Sequence, residues 1–579
     1  MTILNRIKSE IKDFIEESVD TSPGVAFSQY KTLKQAYLYR SSKFKNGQTD
    51  PLTQKKLVFY QISRFRARVT AKMLDFDIKD LRVISNKIFD LWAQLKAYLL
   101  EKKVKNWAKE NDFSIVLNEI IQSCADFGSA VVKKHKGKEA VVKDLKYLYI
   151  DQSVKYIKDS AYIIEEQKIR RDEVEAKRGI WKNIDELLDS IEDGKKTTIY
   201  ERYGFIEEDG KFTKRMVVIS DAIKSNENGV ELFNEEIKEY PYSDFHINKI
   251  DGRWLGVGTY EELFDPQIRA NTIANQKARA LELSSRQIFV TPDEIVARNL
   301  LQDLDIGDVL TVPNGLTPLQ VESRGLSEFA SEEERTELSA DRNTFTFDAV
   351  RGESLPATTP ATNAMLQNQN TISVFEQMKE NLATQIVNFI QGSVLPDVTK
   401  SSRGEHIMKF VSKLTDLEKF DQLFTSHISE KAAYGYLTKT GFYPEDADVD
   451  KSSSDILKKL KDGGLVRSVK LPEGFFSDIS DVDFIMDNES RDIPLQAQNL
   501  QALLGLVMGN PQAVQDPLVK SLIYAYSELI GISPIELENA QTNQPQQNEN
   551  IPSPQGGGTT IAGQPGLPTG QGAPPGVLR

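Results

Sequence analysis

The chain has 579 residues, enough for several cores, and its 39 % apolar and 27 % charged content is that of a folded globular protein. A formal net charge of −13 argues against a protein that holds DNA by its phosphates, since that needs Lys and Arg gathered on one face. It leaves open a protein that touches DNA without gripping it.

The N-terminal MTILNRIKSEIKDFIEESVD mixes charges with Ile, Leu and Phe at helical spacing, unlike a signal peptide, and no apolar run approaches a membrane span. Residues 1–150 read mainly as amphipathic helices. VFYQISRFRARVTAKMLDFDI and NKIFDLWAQLKAYLLEKKVKNWAKEN carry apolar residues three and four apart with Lys and Arg between them. The lysines from Lys102 to Lys109 read as a solvated helical face, with a phosphate-binding patch as the alternative. The period then changes. Gly128 precedes AVVKK, a turn is expected at Lys136–Gly137, and EAVVKD and KYLYID read as short strands. Residues 151–250 add strands at SAYIIEEQKI, TTIYERYGFI and KRMVVISDAI, a helix at WKNIDELLDSIEDG, and turns at EEDGKF and SNENGV.

GVGTYEELFDPQIRANTIANQKARALELSSRQIF, residues 256–289, is helical in pattern yet poor in large apolar side chains. Asp265-Pro266 fits an N-cap followed by a first-turn proline. Between Pro266 and Arg286 only Ile268, Ile273, Leu281 and Leu283 are large, while Ala270, Ala274, Ala278 and Ala280 allow close helix approach. DVLTVPNGLTPLQV then predicts two short strands about Pro313-Asn314-Gly315. SEFASEEERTELSADRNTFTF, residues 327–347, is a polar helix. DAVRGESLPATTPAT is irregular because of Gly352, Pro356 and Pro360, and a long helix follows from about Asn363 to Gln391. Residues 404–490 mix helix and strand, and 492–533 suggest short helices broken at Asn510-Pro511 and Asp516-Pro517. From Gln541 onward Gln, Asn, Gly and Pro without aromatics predict disorder.

Enzyme signatures fail on spacing. DGKKTT around Gly194 lacks the upstream glycine and the Gly-Lys-Ser/Thr order of a phosphate loop. GVGTYE places Glu261 where a dinucleotide fingerprint needs its third glycine, so Gly256 and Gly258 read as a turn before a helix. The single cysteine, Cys124, excludes an intramolecular disulfide and reads as a buried, inert thiol. His135, His246, His406 and His427 include no pair three or four apart to hold zinc. No catalytic, cofactor-binding or metal-ligating set is read from the residues.

Two helices of about 20 residues reach roughly 30 Å each. As an out-and-back spoke they bury little of themselves, which predicts side-by-side packing of copies in closed rotational symmetry. The order of segments resembles the portal proteins of tailed bacteriophages over about residues 60–535. FGSAVV with YLYID is similar to the family's first wing strands, GRWLGVGTYEELFDPQIRANTIANQKARA to its first stem helix, and VLTVPNGLTPLQ to its clip. RGESLPATTPAT before a long helix is similar to its tunnel loop, and DFIMDNESRDIPLQAQNLQALL with DPLVKSLIYAYSELIGIS to the region leading into its crown.

The resemblance implies an α+β portal-type protomer with a mixed wing, helical stem, small clip and short helical crown, assembled as a dodecameric ring. Its expected divisions are wing 1–255, first stem helix 256–286, clip 287–325, second stem helix 326–347 and tunnel loop 348–361. The long wing helix 362–395, C-terminal wing 396–490, crown 491–540 and a disordered tail 541–579 follow. It further implies a place at one capsid vertex of the virion, reached from the host cytoplasm. Double-stranded DNA would pass without sequence-specific binding. The terminase large subunit and then a head–tail adaptor would dock on the clip, with major capsid and scaffolding proteins around the ring. No enzyme activity, cofactor, metal or membrane is implied. Gln267, Asn271 and Asn275 fall on the stem, Asp305, Asp308, Pro313, Asn314 and Gly315 on the clip, and Arg351, Gly352, Glu353 and Pro356 on the tunnel loop.

Geometry allows this. Twelve helices of about 10 Å side by side put their axes on a circle of roughly 38 Å and leave a bore of about 28 Å, wider than a duplex of roughly 20 Å. Glu328, Glu332, Glu333, Glu334, Glu337 and Asp341 against Arg335 and Arg342 predict an acidic, slippery channel wall. Two alternatives stay open. A scaffold or tail-adaptor ring would not translocate DNA, and a terminase or nuclease would hydrolyse ATP or cleave DNA with a metal.

Overall fold

The computed structural model describes residues 2–486 except 17–28, 50–54, 88–89, 192–193, 209, 222–228, 286–287, 291–316, 320–325, 348–360, 401–405, 412–413, 462–465, 472–475 and 477–481. All described residues belong to one compact unit, Met1–Asp492. The expected crown and tail therefore lie outside the described residues.

Amphipathic spacing produces α1 (Ile3–Glu16), α2 (Gln29–Arg40), α3 (Ser63–Met73), α4 (Leu91–Glu110) and α5 (Phe113–Phe127). The helix expected from Val58 starts only at Ser63. Lys103 also departs from the expected solvated face. Its Nζ is buried without a hydrogen bond and lies 5.2 Å over the Phe476 ring, and burial lowers its pKa. Cys124 is fully buried, and burial pushes its thiol far up, as expected of an inert side chain.

The period-2 segments become strands. β1 (Leu81–Ser85) pairs antiparallel with β14 (Val482–Met486), joining distant parts of the chain. β2 (Ser129–Lys134) lies between β3 (Ala140–Lys143) and β9 (Tyr242–His246), and all six of its residues are buried. β4 (Leu148–Ile150), β5 (Tyr162–Arg170), β6 (Lys196–Glu208), β7 (Lys211–Ser220) and β8 (Val230–Glu236) form an antiparallel meander. Alternation along β7 sorts its faces. Val217 and Ile219 pack with Leu4, Ile7 and Phe14 of α1, whereas Val218 packs with Leu187 and Leu188. Those leucines belong to α7 (Ile184–Ser190), which follows the short α6 (Arg171–Glu175). Buried Arg202 of β6 ties α1 down through a two-pronged contact with Glu10, at 2.8 and 2.7 Å.

Next come α8 (Thr259–Glu262), α9 (Phe264–Ser285), β10 (Ile288–Val290), β11 (Thr317–Leu319) and α10 (Leu326–Thr344). The long helix expected near Asn363–Gln391 is α11 (Ala361–Phe389), continued by a π-helical turn at Ile390–Val394 and α12 (Leu395–Lys400). β12 (His406–Val411), α13 (Leu414–Thr440), α14 (Asp446–Lys461) and β13 (Val466–Leu471) complete the unit, with β12 and β13 paired antiparallel. The largest core joins Leu95 and Leu99 of α4, Leu117 and Ile120 of α5, Leu382 and Ile386 of α11, and Phe420 of α13.

Candidate functional site

The polar face of α9 has a specific use. Gln267, Asn271 and Asn275 recur every four residues and so rise along one face at steps of about 6.0 Å. Two residues of extended chain advance about 6.6 Å. The side-chain amides therefore pair with alternate residues of the extended segment before α3. Asn275 Oδ1 accepts from Val58 N at 2.9 Å and its Nδ2 donates to Val58 O at 2.8 Å. Asn271 Oδ1 accepts from Tyr60 N at 2.9 Å. Gln267 Nε2 donates to Tyr60 O at 2.5 Å, and its Oε1 accepts from Ile62 N and Ser63 N, each at 3.2 Å, and from Ser63 Oγ at 2.8 Å. Gln267 thus caps α3 from outside, because Ile62 supplies no side-chain cap. These hydrogen bonds keep 58–62 out of the helix despite a helical pattern, so that α3 starts at Ser63. Gln267→Leu strands several buried backbone groups and is expected to cost about 3 kcal/mol, whereas the more open Asn275→Ala costs about 1 kcal/mol or less. Urea denaturation midpoints check the difference.

α10 runs back along α9, bringing Asn343 to Glu262 at one end and Glu333 to Lys277 toward the other. The acidic residues expected on a channel wall divide into groups. Glu332 contacts Arg269 and pairs with Arg335 at 3.0 Å; these hydrogen bonds, Arg269 first, hold its carboxyl below the usual range. Glu333 pairs with Lys277 at 2.7 Å. Glu337 accepts from Tyr60 Oη at 2.8 Å, and this bond, then burial, pushes the phenol up to about 12. Asp341 is 4 % exposed and bonded to Arg66 Nε and Nη2 at 2.8 Å each, so it has no open face to offer a duplex. Arg66 also donates to Ile62 O and Glu337 O. Glu328 and Glu334 are the exposed members of the set.

Among the described residues the apolar cluster of this spoke is small, Ile62, Leu263, Ala270 and Ala340 with Tyr60 beside it, and Ile273 and Ala274 of α9 are also buried. Ile268, Leu281 and Leu338 remain 48, 45 and 50 % exposed on the two helices. At the far end Ile288–Val290 pairs antiparallel with Thr317–Leu319, so the segment between leaves and re-enters through neighbouring strands. The strand and turn that the sequence predicts about Pro313-Asn314-Gly315 lie outside the described residues, and Thr317–Leu319 pairs with Ile288–Val290. Asp305, Asp308, Pro313, Asn314 and Gly315, and likewise Arg351, Gly352, Glu353 and Pro356, lie outside the described residues.

Glu262 closes the base of the spoke. Burial first, then the charge of Glu261, pushes its carboxyl up to about 7. A carboxyl whose pKa is higher folded than unfolded favours folding below its unfolded value and loses that contribution as pH rises through its folded value. Glu262→Gln should match the wild type in stability below pH 4.5 and exceed it by about 2 kcal/mol above pH 7. Chemical denaturation at the two pH values reads this out.

A hydrogen-bonded Ser–His–Asp chain escaped the sequence reading. Ser129 stands opposite His246 in the β2–β9 ladder, and Asp244 shares a strand face with His246. The carboxylate of Asp244 can only accept, so His246 Nε2–H donates to it at 2.8 Å, and in the neutral ring Nδ1 then accepts from Ser129 Oγ at 2.8 Å, while Gly256 N donates to that hydroxyl at 2.8 Å. Ile157 N and Trp254 Nε1 also donate to that carboxylate. Ser129 is fully buried and His246 4 % exposed, so the relay lies inside the protomer, where it joins two strands. Burial lowers the His246 pKa and keeps the ring neutral.

The GVGTYE turn is equally structural. Arg253 grips Glu261 at 2.9 and 2.7 Å and donates to Leu255 O and Gly256 O. Among the described residues no group of three or more His, Cys, Asp or Glu is placed to hold a metal, and no helix is long and apolar enough to cross a membrane.

No family model and no curated protein matches the chain. Among solved structures it is similar to a chain described as the neck of an empty GTA particle computed with C6 symmetry. That match has a TM-score of 0.27 and 10 % identity over 59 % of this chain and 75 % of the other. A TM-score of this size does not establish a shared fold.

Proposed function

We propose that the chain is a protomer of a portal-type ring, in which α9 and α10 form the stem of a channel for double-stranded DNA. The observation that carries this reading is the out-and-back spoke. Two helices lie side by side, their connection leaves and returns through adjacent strands, and their shared apolar cluster is small. Exposed Ile268, Leu281 and Leu338 then become lateral contacts between copies.

The ion pairs change how the wall works. Lys and Arg in a channel would each bind phosphate and release counterions. Lys277 and Arg269 are already engaged by Glu333 and Glu332, so they are poor anchors for a passing duplex. Neutralisation within each protomer joins acidity as the source of slipperiness. Glu328 and Glu334 remain to present negative charge. Docking of a terminase and later of an adaptor would fall on the clip, and no catalytic role is assigned to this chain.

End-on electron micrographs of the purified full-length chain test the proposal. A closed ring with a central hole wider than a duplex is the expected average. A solid particle, or ATP hydrolysis by the chain alone, would overturn it in favour of a packaging enzyme or non-translocating component.

A further inference from the structure

Where α2, α3, α5 and α8 meet, Arg40, Arg64, Arg68, Gln122, Asp126 and Tyr260 line a pocket of about 330 Å³. Asp126 is 2 % exposed. Its Oδ1 accepts from Gln122 Nε2 at 2.8 Å, which fixes the carboxylate plane. Its buried Oδ2 accepts no hydrogen bond, although Arg40 Nε stands 3.3 Å away. Arg64 donates to Arg40 O at 2.5 Å and lies 3.4 Å from Ser42 Oγ, which leaves part of its fork free. Arg68 is exposed and makes no hydrogen bond or ion pair among the described residues.

Three guanidiniums and one carboxylate leave the cavity with a double positive excess, which a dianion balances. The dianion must also supply a donor, because the unpartnered, buried Oδ2 of Asp126 can only accept. Hydrogen phosphate meets both demands. Its three unprotonated oxygens suit guanidinium forks, and its single P–OH can donate to Oδ2. Sulfate has the same charge and similar size but no proton at neutral pH, so each of its oxygens would be repelled by the carboxylate. A phosphodiester lacks the proton too. A monoester, with a second pKa of about 6, must first take one up. Burial pushes Asp126 up to about 6, which leaves it ionised at pH 7.5.

We propose that this pocket is a binding site for hydrogen phosphate, with Arg40, Arg64 and Arg68 holding its oxygens and Asp126 accepting its proton. The site lies within one protomer and does not depend on the ring.

Calorimetric titration of the full-length chain at about pH 7.5 tests it, with inorganic phosphate as probe and sulfate at equal ionic strength as comparator. Phosphate should saturate in the millimolar range or below, with a preference over sulfate of about tenfold or more. Arg68→Ala should keep the wild-type melting temperature and weaken phosphate about tenfold. Asp126→Asn, whose amide N–H can donate to either anion, should lose the preference. Two oligonucleotide arms separate free phosphate from nucleic-acid sources. A 5′-phosphorylated strand should compete more weakly than inorganic phosphate, and an unphosphorylated strand should not compete. Equal binding of phosphate and sulfate to the wild type, no saturable phosphate binding, unchanged affinity in Arg68→Ala, a retained preference in Asp126→Asn, or competition by the unphosphorylated strand would each overturn the assignment.

Discussion

Gly258→Ala is expected to destabilise the chain by about 4 kcal/mol or more and to remove most soluble protein from expression. At this crossing three glycines bring two backbone segments into contact. A Cβ on Gly258 would lie 2.4 Å from Gly128 N and 2.5 Å from Asp126 O and Phe127 C. One on Gly256 would lie 2.3 Å from Gly128 O and 2.5 Å from Ile247 O. These neighbours are backbone atoms, so no rotamer change relieves the clash. Gly128 adds a φ of +78° where it ends α5 and donates to Cys124 O. The crossing sets the direction in which α8 and then α9 leave the strands and helices before them. The control is Gly137→Ala, which has φ +72° but nothing within 4 Å of its would-be Cβ. It should cost about 1 kcal/mol, the price of the left-handed backbone alone. Denaturant unfolding of the pair separates steric collision from backbone strain.

Asp341→Ala is expected to cost about 3–5 kcal/mol, because Arg66 is left as an unpaired charge in a buried site. Both residues are 4 % exposed, and Asp341 Oδ1 also lies 3.3 Å from Thr346 Oγ1. Replacing both partners, as in Arg66→Met with Asp341→Leu, should cost far less than Asp341→Ala alone, since the paired desolvation penalty disappears with the charges. The double-mutant cycle, measured by urea unfolding, checks the ordering. A single mutant no worse than the double would mean that Arg66 reaches water when its partner is removed.

The elements with clean periodicity were legible. β5, β6 and β7 fall on short runs rich in Ile, Val and Tyr, and α11 falls on the long apolar-periodic run after Pro360. Harder positions were those where a distant residue decided local structure. Val58–Ile62 carry a helical pattern, yet amides more than two hundred residues away take up their backbone groups and the helix starts only at Ser63. The same amides made α9 look too polar for a structural helix, because a side chain that pairs with backbone is indistinguishable in sequence from one in water. Asp341 has the spacing of the other acids on its helix, and only the position of Arg66 removes it from the surface. Ser129 and His246 are adjacent only through strand register, which no motif with fixed spacing records. One signal was available for the other half of the relay: Asp244 and His246 sit two apart in a strand and therefore share a face.

The claim on which the functional reading rests is that the spoke of α9 and α10 is closed by neighbouring copies rather than by its own chain. Light scattering of the purified full-length protein, beside a Leu338→Glu variant, addresses it most directly. The wild type should have a mass near twelve times 65.2 kDa, and the variant, whose altered position is half exposed in the protomer, should fall to much smaller species while remaining folded. A wild-type mass of 65.2 kDa, unchanged on concentration, would contradict the account.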